Sequence, residues 1–297
     1  MSVFVQRNNT FSNLNSSDSW VVLSEIEQRI KNKIEAIGTP LEEWGISINY
    51  GIKTGYNEAF IINGHKKDEL ISKDPKSAEL IRPILRGRDI KRYSYTFSDL
   101  YLIATHNGNQ KQGMLPVNID NYTAIKRHLN DYYEKILTRA DQGNTPYNLR
   151  NCAYWDDFFK PKIIYPETTQ GAYFYLDKSK HFIDKTCFMM ISKCPEYLLA
   201  NLASKLYEYA YKKIFSSIEL GINGYQYNKH ALVKLPIITL DKVDKEILIK
   251  IEKHVDDLLQ ESSQKRKGQI YRELDEMIYR LYKIDEEEIR YIQSNII

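Results

Sequence analysis

Polar turn residues and a run of arginines fall close together between Gly51 and Tyr93. Lys53, Thr54, Tyr56 and Asn57 lie in a turn marked by Gly51 and Gly55, and Arg82, Arg86, Arg88, Lys91 and Arg92 follow before a tyrosine closes the stretch. The chemistry that suits these types is non-covalent. Guanidinium and ammonium groups clamp phosphate oxygens, and hydroxyl and amide groups pair with base edges. The plainer reading is a surface turn followed by a solvated basic helix, with Arg88 and Asp89 an internal pair. Two later stretches carry similar residues: 105–116 offers Asn107, Gln110 and Lys111, and 138–150 offers Gln142, Asn144, Tyr147 and Arg150 beside Arg139 and Thr145. Asn and Gln can pair bidentately with adenine in the major groove, but amides are also common in solvent loops.

Periodicity indicates what must position these residues. Ser24 and Glu27 have capping-box spacing, Ile26, Ile30, Ile34 and Ile37 continue at helical spacing, and Gly38 with Pro40 ends that helix. Ile46, Ile48 and Tyr50 alternate as in a strand. Ala59 to Ile62 reads as a short apolar strand ending at an Asn63-Gly64 tight turn. Lys67 to Ile71 and Ser77 to Leu85 read as short helical pieces, with Pro83 inside or breaking the second. Tyr101 to Ala104 is a core strand, and Asn121 to Leu137 a helix with Ile125, Leu129, Tyr132, Tyr133 and Ile136 near one face. Lys160 to Tyr165, Tyr173 to Tyr175 and Thr186 to Ile191 are further strands. Pro195 opens a long helix, Glu196 to Phe215, and a loop from Gly221 to Tyr227 follows. Asp241 to Ser263 is a helix, Lys265-Arg266-Lys267 a basic knot before Gly268, and Gln269 to Ile292 a helical end in which Asp285 caps the last helix.

Composition narrows the class. The chain has 297 residues, long enough to bury a real core. A net charge of +3 excludes a uniformly basic, histone-like binder and permits positive charge gathered on one face. The 23 tyrosines exceed what a surface needs, so many belong to the core, while others can stack on bases or donate to phosphate. Cys152, Cys187 and Cys194 lack metal spacing and read as buried reduced thiols, and the six histidines are scattered, so no metal site is expected. No run approaches the roughly 20 apolar residues of a membrane span, and the polar N-terminus has no signal-peptide core. A soluble, cytoplasmic protein of prokaryotic type is expected, with no membrane partner.

Three strings in order carry a resemblance: G-I-x-T-G-x-N-x-A-F-I-I from Gly51, L-I-x-P-x-L-R-G-R-D-I-x-R-Y from Leu80, and K-P-K-I-I-Y-P-E from Lys160. Together they resemble the TaqI-like specificity domain, the target-recognition module of DNA adenine methyltransferases and fused restriction–modification enzymes. The C-terminal run from Leu274 to Ile289 is similar to that family's end signature, with Lys283 where the family more often has Gly. The resemblance implies an α+β fold: a mixed, largely antiparallel sheet flanked by an N-terminal helix and a C-terminal helical pair. It implies a recognition domain at 44–238, a helical region at 239–297, and at 1–43 a flexible segment and helix linking to a missing upstream domain. It also implies that the segment before the K-P-K-I-I-Y strand faces double-stranded DNA. Candidate DNA contacts are therefore Lys53, Thr54, Tyr56 and Asn57; Arg86, Arg88, Lys91 and Arg92 as phosphate clamps; and Asn107, Gln110, Lys111, Gln142, Asn144, Tyr147 and Arg150 for base readout.

The motifs of catalysis are missing from the sequence. A DNA amino-methyltransferase holds its flipped target in a D/N/S-P-P-Y/F loop, and the chain has no Pro-Pro pair. No acidic residue precedes an E/D-x-K strand as a metal-dependent nuclease would require. No catalytic residue and no cofactor is therefore expected here. Adenine-N6 methylation, with S-adenosylmethionine, and any cleavage would belong to a methyltransferase domain of the same polypeptide or to a partner subunit. Two other classes stay open: a protein-interaction scaffold using the helical ends, and an enzyme of unfamiliar type with its site near Lys162, Tyr165 and Glu167.

Overall fold

A computed structural model describes residues 23–109, 113–215, 219–220 and 224–296. Gln110, Lys111 and part of the expected 221–227 loop lie outside the described residues. The chain divides into two compact units, one built from 47–166 with 175–191, the other from 1–46, 167–174 and 192–297. The division is interleaved, with residues 192–238 grouped with the terminal helices. The fold is α+β, with antiparallel strand pairs except for one parallel pair between named strands.

The first unit holds two four-stranded sheets. In one the order is Tyr175–Asp177, Lys162–Pro166, Cys187–Ile191, Ser47–Tyr50, antiparallel throughout. Lys162–Pro166 is buried along its length, as expected of a central strand with both faces covered. In the other the order is Phe182–Ile183, Ile81–Leu85, Leu100–Ile103, Ile61–Asn63, and its first pair is parallel.

Several local expectations are corrected here. Residues 77–85 are not a helix: a 3-10 turn, Pro75–Glu79, leads into strand Ile81–Leu85. Pro83 is tolerated because the flanking strand Phe182–Ile183 reaches only Ile84 and Leu85, so one side of Pro83 needs no N–H. Ala59 to Ile62 is not one strand, since Asn57–Phe60 forms a helical turn before strand Ile61–Asn63. Asn63 does not make a hairpin turn. Its side chain accepts from Lys66 N–H and caps helix Gly64–Lys73. The helix over 121–137 breaks in two, Thr123–Asn130 and Tyr133–Leu137, burying Ile125, Leu129 and Ile136 but leaving Tyr133 exposed.

The second unit is mostly helical. Helix Glu25–Ile37 begins with the Ser24/Glu27 capping box and buries Ile30 and Ile34. It meets the chain's last helix, Glu286–Asn295, through Lys33 Nζ on Glu288 (2.6 Å) and Arg29 on Glu287 (2.6 Å). The expected helix 196–215 breaks after Pro195–Leu202, restarts at Lys205–Ala210 with Ser204 as cap, and widens into a π-helical turn over Tyr211–Phe215. The Lys265-Arg266-Lys267 knot and Gly268 lie inside helix Gln264–Leu281. Tyr282, in the C-terminal signature, is fully buried. Its hydroxyl accepts from Ile238 N–H (3.0 Å), contacts Tyr207 (2.8 Å) and donates to Asn201 (3.2 Å). Lys283 then takes φ +52, so the turn keeps its left-handed residue without glycine. Among the described residues no helix is long and apolar enough to cross a membrane.

Candidate nucleic-acid interface

The Gly51 to Asn57 turn leaves the first sheet at Tyr50. Gly51 N–H donates to Cys187 O, and Ile52 N–H to Ile183 O. A Cβ on Gly51 would stand 2.1 Å from Asp184 O, so no other residue fits without moving backbone. Gly55 takes φ +71 and brings the turn against Asp141. Thr54 is 3% exposed, and its hydroxyl donates to Asn57 Oδ1. The glycines and the threonine thus shape the turn. Asn57 is exposed, and Lys53 and Tyr56 are partly so. Lys53 Nζ sits 5.2 Å from the centre of the Tyr50 ring, and Tyr56 OH donates to Glu58.

The two polar loops are laced into one body. Leu149 N–H donates to Thr105 O, Thr105 Oγ1 to Tyr147 O, and Asn148 Nδ2 to both His106 O and Val117 O. Asn107, expected to read a base, is instead buried: Nδ2 donates to Asn144 Oδ1 (3.1 Å) and Asn151 Oδ1 (2.5 Å), while Oδ1 accepts Asn144 N–H (2.7 Å). An amide with donors and an acceptor on one short stem can make three bonds to two residues of a neighbouring stretch at once, and that position draws it inward. Gln142 and Asn144 remain exposed, Tyr147 is partly exposed with its hydroxyl on Asn130, and Arg150 pairs with Asp141 at 3.0 Å with 42% of its side chain exposed.

Arg139 joins the loops to the turn. It is 5% exposed, with its guanidinium 4.4 Å from the centre of the Phe60 ring. Nη1 donates to Thr54 O and Asp141 O, and Nη2 to Asn148 O and to Pro146 O (3.1 Å). Burial pushes its pKa down to about 10, against the pull of Asp141, and the group stays charged at neutral pH. In the sequence Arg139 is one more polar loop residue, because nothing in a single sequence tells an inward arginine from an outward one. A shallow cleft opens nearby, lined by Tyr50, Lys53, Arg150, Asn151, Cys152 and Tyr154, with room for about one water (about 20 Å³). Burial raises the Cys152 thiol to about 11, so it is no thiolate nucleophile.

The arginine-rich segment forms a separate knot. The internal pair is Arg86 with Asp89, not Arg88 with Asp89: Arg86 Nε and Nη2 and its N–H all donate to the Asp89 carboxylate. Ser98 adds a fourth donor, Gly87 N–H reaches Thr186, and Asp89 is 3% exposed. Burial acts to raise the Asp89 carboxyl, but Arg86 and Ser98 outweigh it and hold it below the usual range. The fork of Arg86 is therefore engaged within the protein. Arg88 and Lys91 are exposed, Lys91 Nζ donates to Arg88 O, and Arg92 lies over the Tyr93 ring.

Lys162, Tyr165 and Glu167 each have a partner within the protein. Lys162 is fully buried on Asp177, Tyr165 stacks on Phe188, and Glu167 accepts from Gln226. Among the described residues no group of three or more His, Cys, Asp or Glu could hold a metal.

Two solved structures share the fold at 14% identity. The Type IIL restriction-modification enzyme MmeI, solved in complex with DNA, aligns with a TM-score of 0.60 over 84% of this chain and 35% of its own. The type IIG restriction endonuclease BpuSI aligns with a TM-score of 0.53 over 87% of this chain and 33% of its own. The chain thus spans about a third of the length of either enzyme. Residues 82–237, more than half of the 297, match the TaqI-like C-terminal specificity domain, and the chain belongs to that family.

Proposed function

We propose that this chain is the sequence-specific DNA recognition module of a restriction–modification system. The observation that carries the reading is the arrangement of Lys53, Asn57, Gln142, Asn144 and Arg150 along one turn and one loop, on a frame of buried hydrogen bonds. Cations there suit phosphate oxygens, and amides and a guanidinium suit base edges in the major groove. Arg88, Lys91 and Arg92 are further phosphate contacts in this reading, and Gln110 and Lys111 belong to the same loop pair by sequence. Thr54, Arg86 and Asn107 support the surface from within.

In the same proposal residues 44–238 are the recognition domain and 239–297 a helical region. Methylation of adenine N6 from S-adenosylmethionine, with any cleavage, is the work of a domain or subunit outside this chain. Both MmeI and BpuSI are named as restriction enzymes and are about three times as long as the region they share with it.

Fluorescence anisotropy with a pool of short duplexes at two salt concentrations tests the reading. Binding should weaken with salt, with a log–log slope of about −0.9 per phosphate neutralised, and selection should enrich one base string. A pool left unenriched by the chain alone, and again by the chain with a methyltransferase domain supplied, would overturn the proposal.

A further inference from the structure

We infer that Arg139 is a positioning residue for sequence readout, holding the 141–149 loop in one conformation against the 51–57 turn. This rests on the DNA reading above. The inference starts from where its donors go. Its terminal nitrogens donate to four main-chain carbonyls, of Thr54, Asp141, Pro146 and Asn148, and to no side chain among these contacts. Residues 141–149 have little regular structure of their own. The Gly143 N–H bond to Asn148 O and the Gln142–Leu149 bridge close them into a small ring. Arg139 fills the middle of that ring and also reaches out to Thr54.

A rigid planar fork is needed for this. Lysine has a point charge and three rotatable donors on a flexible stem, and cannot meet carbonyls on both sides of the ring in fixed geometry. The side chain has no path to a ligand, since Arg139 is 5% exposed. Its Nε is buried with no hydrogen-bond partner among the described residues, a cost accepted where the two terminal nitrogens are fully used. Gln142 and Asn144 stand on the ring it fills, and Arg150 is tied to the ring residue Asp141. Readout by bidentate pairing depends on where those side chains start, so a loosened ring should lose discrimination before it loses attraction to phosphate.

The test compares wild type with Arg139→Lys, which keeps the charge, and Arg139→Met, which keeps the stem. Binding is measured to the selected duplex and to duplexes with single base changes, and amide hydrogen exchange is followed over 51–57 and 141–149. In both variants the preference for the selected duplex should fall by about ten-fold or more, while the salt slope on random DNA stays within one phosphate. Exchange should rise in both segments together. A merely structural role would lower Tm and the active fraction but leave the preference of the folded molecules unchanged. A selective Arg139→Lys protein would overturn this inference alone, while an unselective wild type would overturn the DNA reading and the inference with it. If neither variant folds, wild-type exchange decides: Gly143 and Leu149 amides exchanging at free-chain rates would show that no clamp exists, and protection lost jointly with the 51–57 amides would support it.

Discussion

Replacing Asp177 with Asn takes one charge out of a site sealed from water. Lys162 Nζ lies 2.6 Å from Asp177 Oδ2, and both side chains are 0% exposed. The two residues face each other across neighbouring strands, so the pair also pins the register of Tyr175–Asp177. Oδ2 accepts in addition from His181 N–H (2.9 Å), while Oδ1 accepts from Ser179 N–H (3.0 Å) and meets His181 Nδ1 (2.8 Å). Burial acts to raise this carboxyl, yet His181 and Lys162 outweigh it and hold it below the usual carboxylate range. Asparagine keeps the shape but turns one acceptor oxygen into a donor that must confront two other donors. Lys162 is left with Phe158 O at 2.8 Å and no counter-charge. Breaking a buried pair from one side costs about 3–5 kcal/mol, and in urea melts near neutral pH Asp177→Asn should lose about that much. The stranded ammonium has a folded-state pKa below its unfolded value. Its penalty is therefore full below the folded pKa and fades as pH rises through it, so the gap to wild type should narrow by about pH 10. Adding Lys162→Met removes the stranded charge and should recover part of the loss. An Asp177→Asn protein within about 1 kcal/mol of wild type at both pH values, or a double variant showing simple additivity, would refute the buried pair.

Other substitutions test separate features. Lys283→Gly relieves a left-handed residue at φ +52, a strain of about 1–2 kcal/mol, offset by about 0.4–1 kcal/mol from a freer unfolded chain. A rise in Tm is expected, and a fall would argue against that turn. Tyr282→Phe orphans Ile238 N–H and takes the Tyr282 hydroxyl away from Tyr207 OH and Asn201 Oδ1, and should cost about 1–3 kcal/mol in denaturant melts. Arg150→Ala should relax choice at one base position by about 1–3 kcal/mol if it reads a base, or lower affinity evenly with a salt slope smaller by about one if it meets phosphate. Unchanged binding to every duplex would remove Arg150 from the interface.

Elements whose signal is local were legible in the sequence. The Ser24/Glu27 capping box, the Asp285 cap and the strands at 100–103 and 187–191 need only neighbours a few residues away. Residues 77–85 read as helical by local pattern, but strand Ile81–Leu85 is decided by partners at Leu100–Ile103 and Phe182–Ile183, which no local window contains. The candidate contacts divide the same way. Residue type marked Lys53, Gln142, Asn144 and Arg150 as able to meet DNA, but type alone could not turn Thr54 and Asn107 inward or pair Arg86 with Asp89. Direction is a tertiary property, and these polar residues are spent on bonds reaching up to 44 positions along the chain.

The way those bonds are made has a consequence under the proposed role in choosing among DNA sequences. Arg139 and the Asn148 side-chain amide nitrogen both donate to main-chain carbonyls. A carbonyl is the same whatever side chain its residue carries, so the frame is indifferent to most substitutions on the residues it grips. Gln142 and Asn144 stand exposed beside it, and a few links, Asn107–Asn144, Arg150–Asp141 and Thr145–Asn148 among them, do depend on rim side chains. Gly143 is different, since a Cβ there would sit 2.5 Å from the Asn107 side chain. The positions that can change are thus separated from those that cannot, and the surface can be rewritten without the loops losing their shape.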